Sequence, residues 1–189
     1  MLPDRIEGVP VFWYQRVSST MEIAARLLVP CVSGIVVADR QDAGRGRYGR
    51  KWVSPPGGLY LSWFFPEDAT YTRHLLEIGA VCVVETLASI GCRGCRIKFP
   101  NDILSSGKKI AGLLVQKTGG RTILGIGVNL NTPAGEIGPY ATSCRDETGH
   151  DVDREVFLGC LVRTVNDSTS RCRGGDDLCV RKWADLLLP

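Results

Sequence analysis

From residue 96 to residue 129 the chain alternates short apolar runs with turn-sized polar gaps, and this spacing constrains the fold most. Residues 96–99 read as a strand halted by Pro100. Ile103-Leu104 and residues 110–116 flank Ser105-Ser106-Gly107-Lys108, a hairpin turn. Residues 117–121 form a second turn leading into a strand at 123–129. Gaps this short join antiparallel neighbours, because a parallel pair needs a long crossover. Upstream, residues 32–38 are β-branched and apolar, the pattern of a buried strand. Residues 58–65 alternate, with Leu59, Leu61, Trp63 and Phe65 on one face and Tyr60, Ser62 and Phe64 on the other.

Helices occupy separate blocks. Ser19 followed by Glu22 makes a capping box ahead of an apolar stripe of Ile23, Ala24 and Leu27, and the helix stops before Pro30. Residues 75–90 carry apolar side chains at helical spacing and end at Gly91, a natural C-cap. Asp153 caps a helix running to about residue 166, and a last helix covers about 177–187. Hairpin-joined strands and separate helices describe an α+β fold, a mixed, largely antiparallel sheet flanked by helices. No repeat or linker divides it, so residues 1–189 read as a single domain.

The formal net charge is only +3, so bulk charge gives no argument for nucleic-acid binding. No run approaches the roughly 18 apolar residues that span a membrane. The N-terminus lacks the basic head and apolar core of a secretory signal. The reading is cytoplasmic, where the eight cysteines stay mostly reduced. Cys92-Arg93-Gly94-Cys95 is a lone CxxC. Zinc there needs a second pair or a nearby histidine, and the chain has only His74 and His150, which favours a plain turn with two thiols.

Charge distribution says more. Arg45, Arg47, Arg50 and Lys51 fall within seven positions, interleaved with Gly44, Gly46 and Gly49 and closed by Trp52. The glycines let the loop wrap a ligand, arginine forks match phosphate or carboxylate oxygens, and Trp52 offers a face for a purine. The loop alone fits a nucleotide-phosphate site and a basic RNA-binding segment equally well. Lys98-Phe99-Pro100-Asn101-Asp102 adds a lysine at a strand end and a carboxylate past a corner. Lys108 and Lys109 stand at the mouth of an apolar strand, where a lysine is usually just solvated. Gly125 and Gly127 thin the strand at 123–129, which often marks the close approach of a ligand or another backbone.

The motifs GRGRYGRKW, SPPGGLYLS, KFPNDI, KKIAGLLVQ and GIGVNLN, with ATSCRDETG after them, resemble the biotin protein ligases in order and spacing. The likeness covers about residues 10–187 and implies the catalytic fold shared with class II aminoacyl-tRNA synthetases. It implies biotin and ATP with Mg2+ as ligands. Ser19, Thr20, Met21 and Gln41 resemble positions that hold the biotin ureido ring and its surroundings. Arg45, Gly46 and Arg47 resemble the loop that folds over the activated intermediate, with Arg47 poised to neutralise phosphate. Lys109 resembles the lysine that contacts the biotin carboxylate and the α-phosphate. Trp52 resembles the residue that packs on adenine, and Lys98, Asn101, Asp102 and Asn129 are similar to residues around the nucleotide and metal. Arg47, Lys109 and Asp102 are the implied catalytic groups, with a transient Mg2+ near Asp102.

Departures are few. Met21 stands where many relatives carry asparagine, Phe99 replaces a common tryptophan, and Tyr48 replaces a frequent arginine. The catalytic pattern begins almost at once, so no N-terminal helix-turn-helix is expected and no DNA binding. A C-terminal SH3-like domain is expected to be absent. The implied partner is a biotin carboxyl carrier domain of a carboxylase, with no membrane partner and a homodimer through a sheet edge. The rivals are a lipoate ligase or acyl transferase of the same fold, a biotinyl-adenylate binder with weak transfer, and an RNA-binding protein.

Overall fold

The computed structural model describes residues 2–27, 33–66, 70–118 and 120–189. Its centre is a sheet of β1 (Arg5–Ile6), β2 (Val9–Val17), β3 (Gly34–Gln41), β4 (Leu59–Pro66), β5 (Arg96–Lys98), β6 (Asp102–Ser105), β7 (Lys108–Thr118) and β8 (Arg121–Val128). The strand order is β1-β2-β3-β4-β8-β7-β6-β5. Among these strands only β2 and β3 run parallel, and α1 (Thr20–Arg26) lies in their connection, as a parallel crossover requires. The other neighbours are antiparallel, which makes the sheet mixed and largely antiparallel, as expected. At the β6–β7 turn Ser106 and Gly107 have φ of 49° and 78°, the paired left-handed conformation of a tight hairpin.

Five further α-helices lie among the described residues: α2 (Leu75–Ser89), α3 (Ala134–Ile137), α4 (Cys144–Thr148), α5 (Arg154–Arg173) and α6 (Leu178–Leu186). Asp153 caps α5 by accepting from the amides of Glu155 and Val156 at 2.9 and 3.0 Å. That helix runs past residue 166 to Arg173. Its last turns are polar in sequence, but Ser168 and Thr169 are buried and Thr169 returns its hydroxyl to the Val165 carbonyl at 2.9 Å. Strands β1 and β2 escape sequence patterning because β2 is half-covered on both faces and so does not alternate. The expected stop at Pro30 lies outside the described residues; α1 ends at Arg26.

The two faces of the sheet differ. Leu59, Leu61, Trp63 and Phe65 point into the main core with Ile78 and Leu87 of α2 and Phe157 and Leu161 of α5. Each such side chain contributes about 1.5–3 kcal/mol on burial. Phe64 points the other way and packs with Val36 and Ile123 beneath Met21 and Ala24 of α1. This second face has a hollow. Gly112 of β7 pairs with Gly127 of β8, and Leu114 with Gly125. Tyr60 and Ser62 of β4 lie opposite Gly127 and Gly125. Small residues in register on three neighbouring strands leave a depression where the alternate positions, Leu61, Leu113 and Ile126, fill the core. No helix among the described residues is long and apolar enough to cross a membrane.

Candidate active site

The hollow forms the floor of a cavity of about 370 Å3. Its floor glycines make room for side chains rather than for another backbone. A Cβ on Gly127 would stand 2.5 Å from Trp52 Cε2, one on Gly112 2.9 Å from Trp52 Cζ3, and one on Gly125 2.7 Å from the Met21 sulfur. Trp52 therefore lies flat on two bare strand positions, with the Lys109 ammonium 5.0 Å from its ring centroid.

One wall is the start of α1. Ser19 occupies the N-cap position, and its carbonyl accepts from the amides of Glu22 and Ile23. The expected capping box does not form. The Ser19 hydroxyl makes no cap bond, and Glu22 instead accepts from Ser18 Oγ at 2.5 Å and pairs with Arg45. Glu22 is drawn outward to the loop arginine, and Ser19 Oγ is left fully buried without a protein partner. Leaving a buried hydroxyl unpaired is costly, so this group is suited to a ligand that hydrogen-bonds it. Beside it Gln41 Oε1 accepts from the Thr20 amide at 2.9 Å and from Thr20 Oγ1 at 3.1 Å. Gln41 Nε2 donates to Ser54 Oγ at 2.9 Å, and Ser62 Oγ donates to Thr20 Oγ1 at 2.8 Å. The polar wall is thus held in one arrangement before any ligand arrives.

The glycine-arginine loop is a small hairpin. Arg45 bridges Lys51, the Gly46 amide donates to the Arg50 carbonyl at 2.7 Å, and the Trp52 amide to the Gly44 carbonyl at 2.9 Å. Gly44 is needed by the loop itself, since a Cβ there would lie 2.5 Å from the Trp52 carbonyl oxygen. At the tip Tyr48 takes φ of 56° and is 85% exposed. Arg47 reaches across the cavity to Asn101 Oδ1 at 3.4 Å.

The opposite wall comes from β6 and β7. Lys109 Nζ pairs with Asp102 Oδ1 at 2.7 Å, both about one-third exposed. Asn101 Nδ2 donates to the Leu113 carbonyl at 2.8 Å, which fixes the corner after Pro100. Lys98 lines the rim. The fold therefore gathers Ser19, Thr20, Met21 and Gln41 with Arg45, Gly46, Arg47 and Trp52, and with Lys98, Asn101, Asp102 and Lys109, around one cavity. Asn129 is not among its lining residues. It lines a smaller cavity of about 160 Å3 on the far side of Trp52 and Lys109. Its Nδ2 is engaged with the carbonyls of Thr142 and Lys109, at 3.0 and 3.4 Å.

Residues 13–132 match the profile of the biotin/lipoate A/B protein ligase family. The chain belongs to that family. A biotin–[acetyl-CoA-carboxylase] ligase of Paracoccus denitrificans is 38% identical over 163 residues, covering 78% of this chain and 68% of that protein. The bifunctional ligase/repressor BirA of Bacillus spizizenii is 33% identical over 184 residues, covering 88% of this chain and 57% of that protein. Among solved structures, a biotin protein ligase of Aquifex aeolicus in complex with biotin and ATP aligns with a TM-score of 0.77 at 34% identity. That alignment covers 85% of this chain and 70% of the other. This chain thus spans between just over half and somewhat more than two thirds of the length of these relatives.

Within this biotin/lipoate ligase fold, sequence reading misses Val53, Ile137 and Ala141 as walls of the small cavity. Ile137 ends the one-turn α3 and Ala141 follows it, in a stretch whose apolar residues follow no period. The CxxC pair stands behind the site. Cys92 and Cys95 are buried with their sulfurs 3.8 Å apart. Contact with Cys92, and then burial, push the Cys95 and Cys144 thiols above the ordinary range, so both are protonated packing groups. No disulfide joins the described cysteines; Cys31 lies outside the described residues.

Proposed function

We propose that this chain is the catalytic domain of a biotin–[biotin carboxyl carrier protein] ligase. In this reading the biotin carboxylate attacks the α-phosphorus of Mg-ATP, forming biotinyl-5′-adenylate and displacing pyrophosphate. A neutral carrier lysine then attacks the mixed anhydride, forming the amide and releasing AMP.

The observation that carries the reading is that Lys109 lines both cavities. The larger holds the unpartnered Ser19 hydroxyl and the Thr20–Gln41 network, suited to the ureido ring. The smaller holds Trp52 and Asn129, suited to adenine. Where they meet, one ammonium faces the two anionic groups that must be joined. Fixed positive charge there offsets their repulsion and stabilises the developing transition state. Arg47 adds a second cation from the hairpin, and closure of that hairpin shields the anhydride from water. Magnesium arrives with ATP. Asp102 is the single carboxylate lining the larger cavity, and among the described residues no three metal-ligating side chains converge. That donor set suits a cation held chiefly by substrate phosphates and water.

Asp102 faces Lys109 rather than open space, which supports a role in orienting the ammonium alongside any role toward the carrier amine. The reading places the chain in the cytoplasm, with the carrier domain of a carboxylase as acceptor. Beyond Val11, whose amide donates to the Asp4 carbonyl, the outer side of β2 has no strand neighbour among the described residues, an edge that supports a homodimer. Biotin-dependent ATP–pyrophosphate exchange, with lipoate as control, tests the activation step. A streptavidin blot of carrier incubated with biotin and ATP tests transfer. Exchange with lipoate alone would reassign the substrate, and exchange without a blot signal would make the chain an adenylate binder. In the same assays Asp102→Asn separates the steps: an equal loss in both rules out a role confined to the carrier amine.

A further inference from the structure

We infer that Glu147 is a positioning residue for the nucleotide half of the site, tying the turn before Lys109 to the segment that walls the smaller cavity. The inference rests on the proposed function. Glu147 lies on α4, away from both cavities. Its Oε2 accepts from Ser105 Oγ at 2.7 Å and from Ser106 Oγ at 3.0 Å. Its Oε1 accepts from Thr142 Oγ1 at 2.8 Å. Both carboxylate oxygens are thus engaged, and Ser105 and Thr142 are buried, at 2% and 3% exposure. Bonds to a carboxylate are stronger than neutral ones, more so where water is excluded.

What these bonds connect matters more than their number. Ser105 ends β6, which bears Asp102, and Ser106 begins the turn into β7, which bears Lys109. Thr142 belongs to the segment that pairs with the start of β7. The Lys109 amide donates to the Tyr140 carbonyl at 2.9 Å, and the Thr142 amide to the Lys109 carbonyl at 3.0 Å. The Thr142 carbonyl accepts from Asn129 Nδ2 at 3.0 Å. The Lys109 backbone is therefore held through both its amide and its carbonyl by a segment whose far end is held by Glu147. Ala141, between the two gripping residues, lines the smaller cavity with Asn129. The biotin half hangs on α1, β3 and β4 through Thr20, Gln41 and Ser62, and shares none of these bonds.

This separation gives the test a signature that general destabilisation lacks. Glu147→Ala is expected to raise the ATP KM in biotin-dependent exchange roughly tenfold or more, from the loss of bonds to a charged group. Biotin affinity by calorimetry is expected to stay within about twofold. Glu147→Gln keeps one acceptor and gains a donor that a hydroxyl can accept, so it is expected to restore most of the ATP KM. Thr142→Val removes one bond, and is expected to raise the ATP KM by about threefold to fivefold; it carries the test if Glu147→Ala does not fold. An ATP KM within about twofold of wild type in both Glu147→Ala and Thr142→Val overturns the inference. So does a parallel weakening of biotin and ATP. A wild-type chain that shows no exchange would instead overturn the proposed function.

Discussion

On one side of the larger cavity Lys109 stands on β7, gripped by two backbone bonds and paired with Asp102 at 2.7 Å. On the other side Arg47 stands on a hairpin with a left-handed, almost fully exposed Tyr48 at its tip, and its contact across the cavity is 3.4 Å long. Both sides supply cations, but at different cost. The strand side is arranged before the ligand binds, so it stabilises charge with little reorganisation. On the hairpin side Arg47 is held across the cavity by one long bond, so under the proposed function part of the binding energy goes into fixing its side chain over the ligand. Under the proposed function the sheet therefore carries the larger part of the chemistry and the hairpin the larger part of the protection.

The strongest test of that difference is Lys109→Ala. Removing the prearranged ammonium is expected to lower biotin-dependent exchange by about 10²–10³-fold, the range for loss of a preorganised charge donor. It also leaves Asp102 facing the anions, which adds repulsion. A fall of less than about tenfold would mean that the strand side is not the main source of stabilisation. Arg47→Ala is expected to cost less, about 10–100-fold in exchange, because the wild-type arginine must itself be ordered. Its distinctive effect is faster hydrolysis of preformed biotinyl-5′-adenylate, followed by release of labelled AMP without carrier. Equal falls in exchange for both variants, with no change in hydrolysis, would remove the division of labour.

Below these in size comes the floor on which Trp52 rests. Gly127→Ala puts a methyl 2.5 Å from the indole and forces it off the strand. The ATP KM is expected to rise about fivefold to tenfold, within the 1–3 kcal/mol of an aromatic–base stack. Biotin affinity changes less. Gly159→Ala in α5, where an added Cβ meets nothing within 4 Å, is the control. A larger effect on biotin than on ATP would place the indole in the wrong half of the site.

The same contrast explains what was legible in the sequence. The β6–β7–β8 side was readable because strand alternation and a two-residue turn are local rules, and Ser106 and Gly107 obey them. The loop's place on the cavity was readable from its arginines, but the packing reasons for Gly44, Gly125 and Gly127 were not. Gly44 is required by the loop's own carbonyl, and Gly125 and Gly127 by Met21 and Trp52, side chains distant in sequence. The capping box failed for a similar reason. Ser19 and Glu22 have the right spacing, but Arg45 captures Glu22 through a contact that no local rule contains. Residue 137 gave no signal, and residues 141 and 147 were marked only by the ATSCRDETG likeness, because their roles come from the packing of residues 137–147 against β6 and β7, which no local period encodes. Local chemistry announced the charged groups and was silent about what holds them.

The smallest expected effect lies in the tether between α1 and the hairpin. The Ser18 hydroxyl first, with Arg45 and Arg26 after it, holds the Glu22 carboxyl below its ordinary value. A carboxyl lowered in the folded state keeps its contribution above the unfolded value, about 4.3, and loses it as pH falls through the lowered one. The Glu22–Arg45 pair is therefore intact at neutral pH and releases only in acid. Amide exchange of residues 44–52 is expected to be slow and steady, after correction for intrinsic rates, down to about pH 4.5, and to quicken below it. Glu22→Gln is expected to remove that acid step while changing exchange activity at neutral pH by less than about twofold, because the pair is exposed and screened. If Glu22→Gln costs as much as Arg47→Ala, the tether belongs to the catalytic apparatus, and the hairpin is arranged in advance after all.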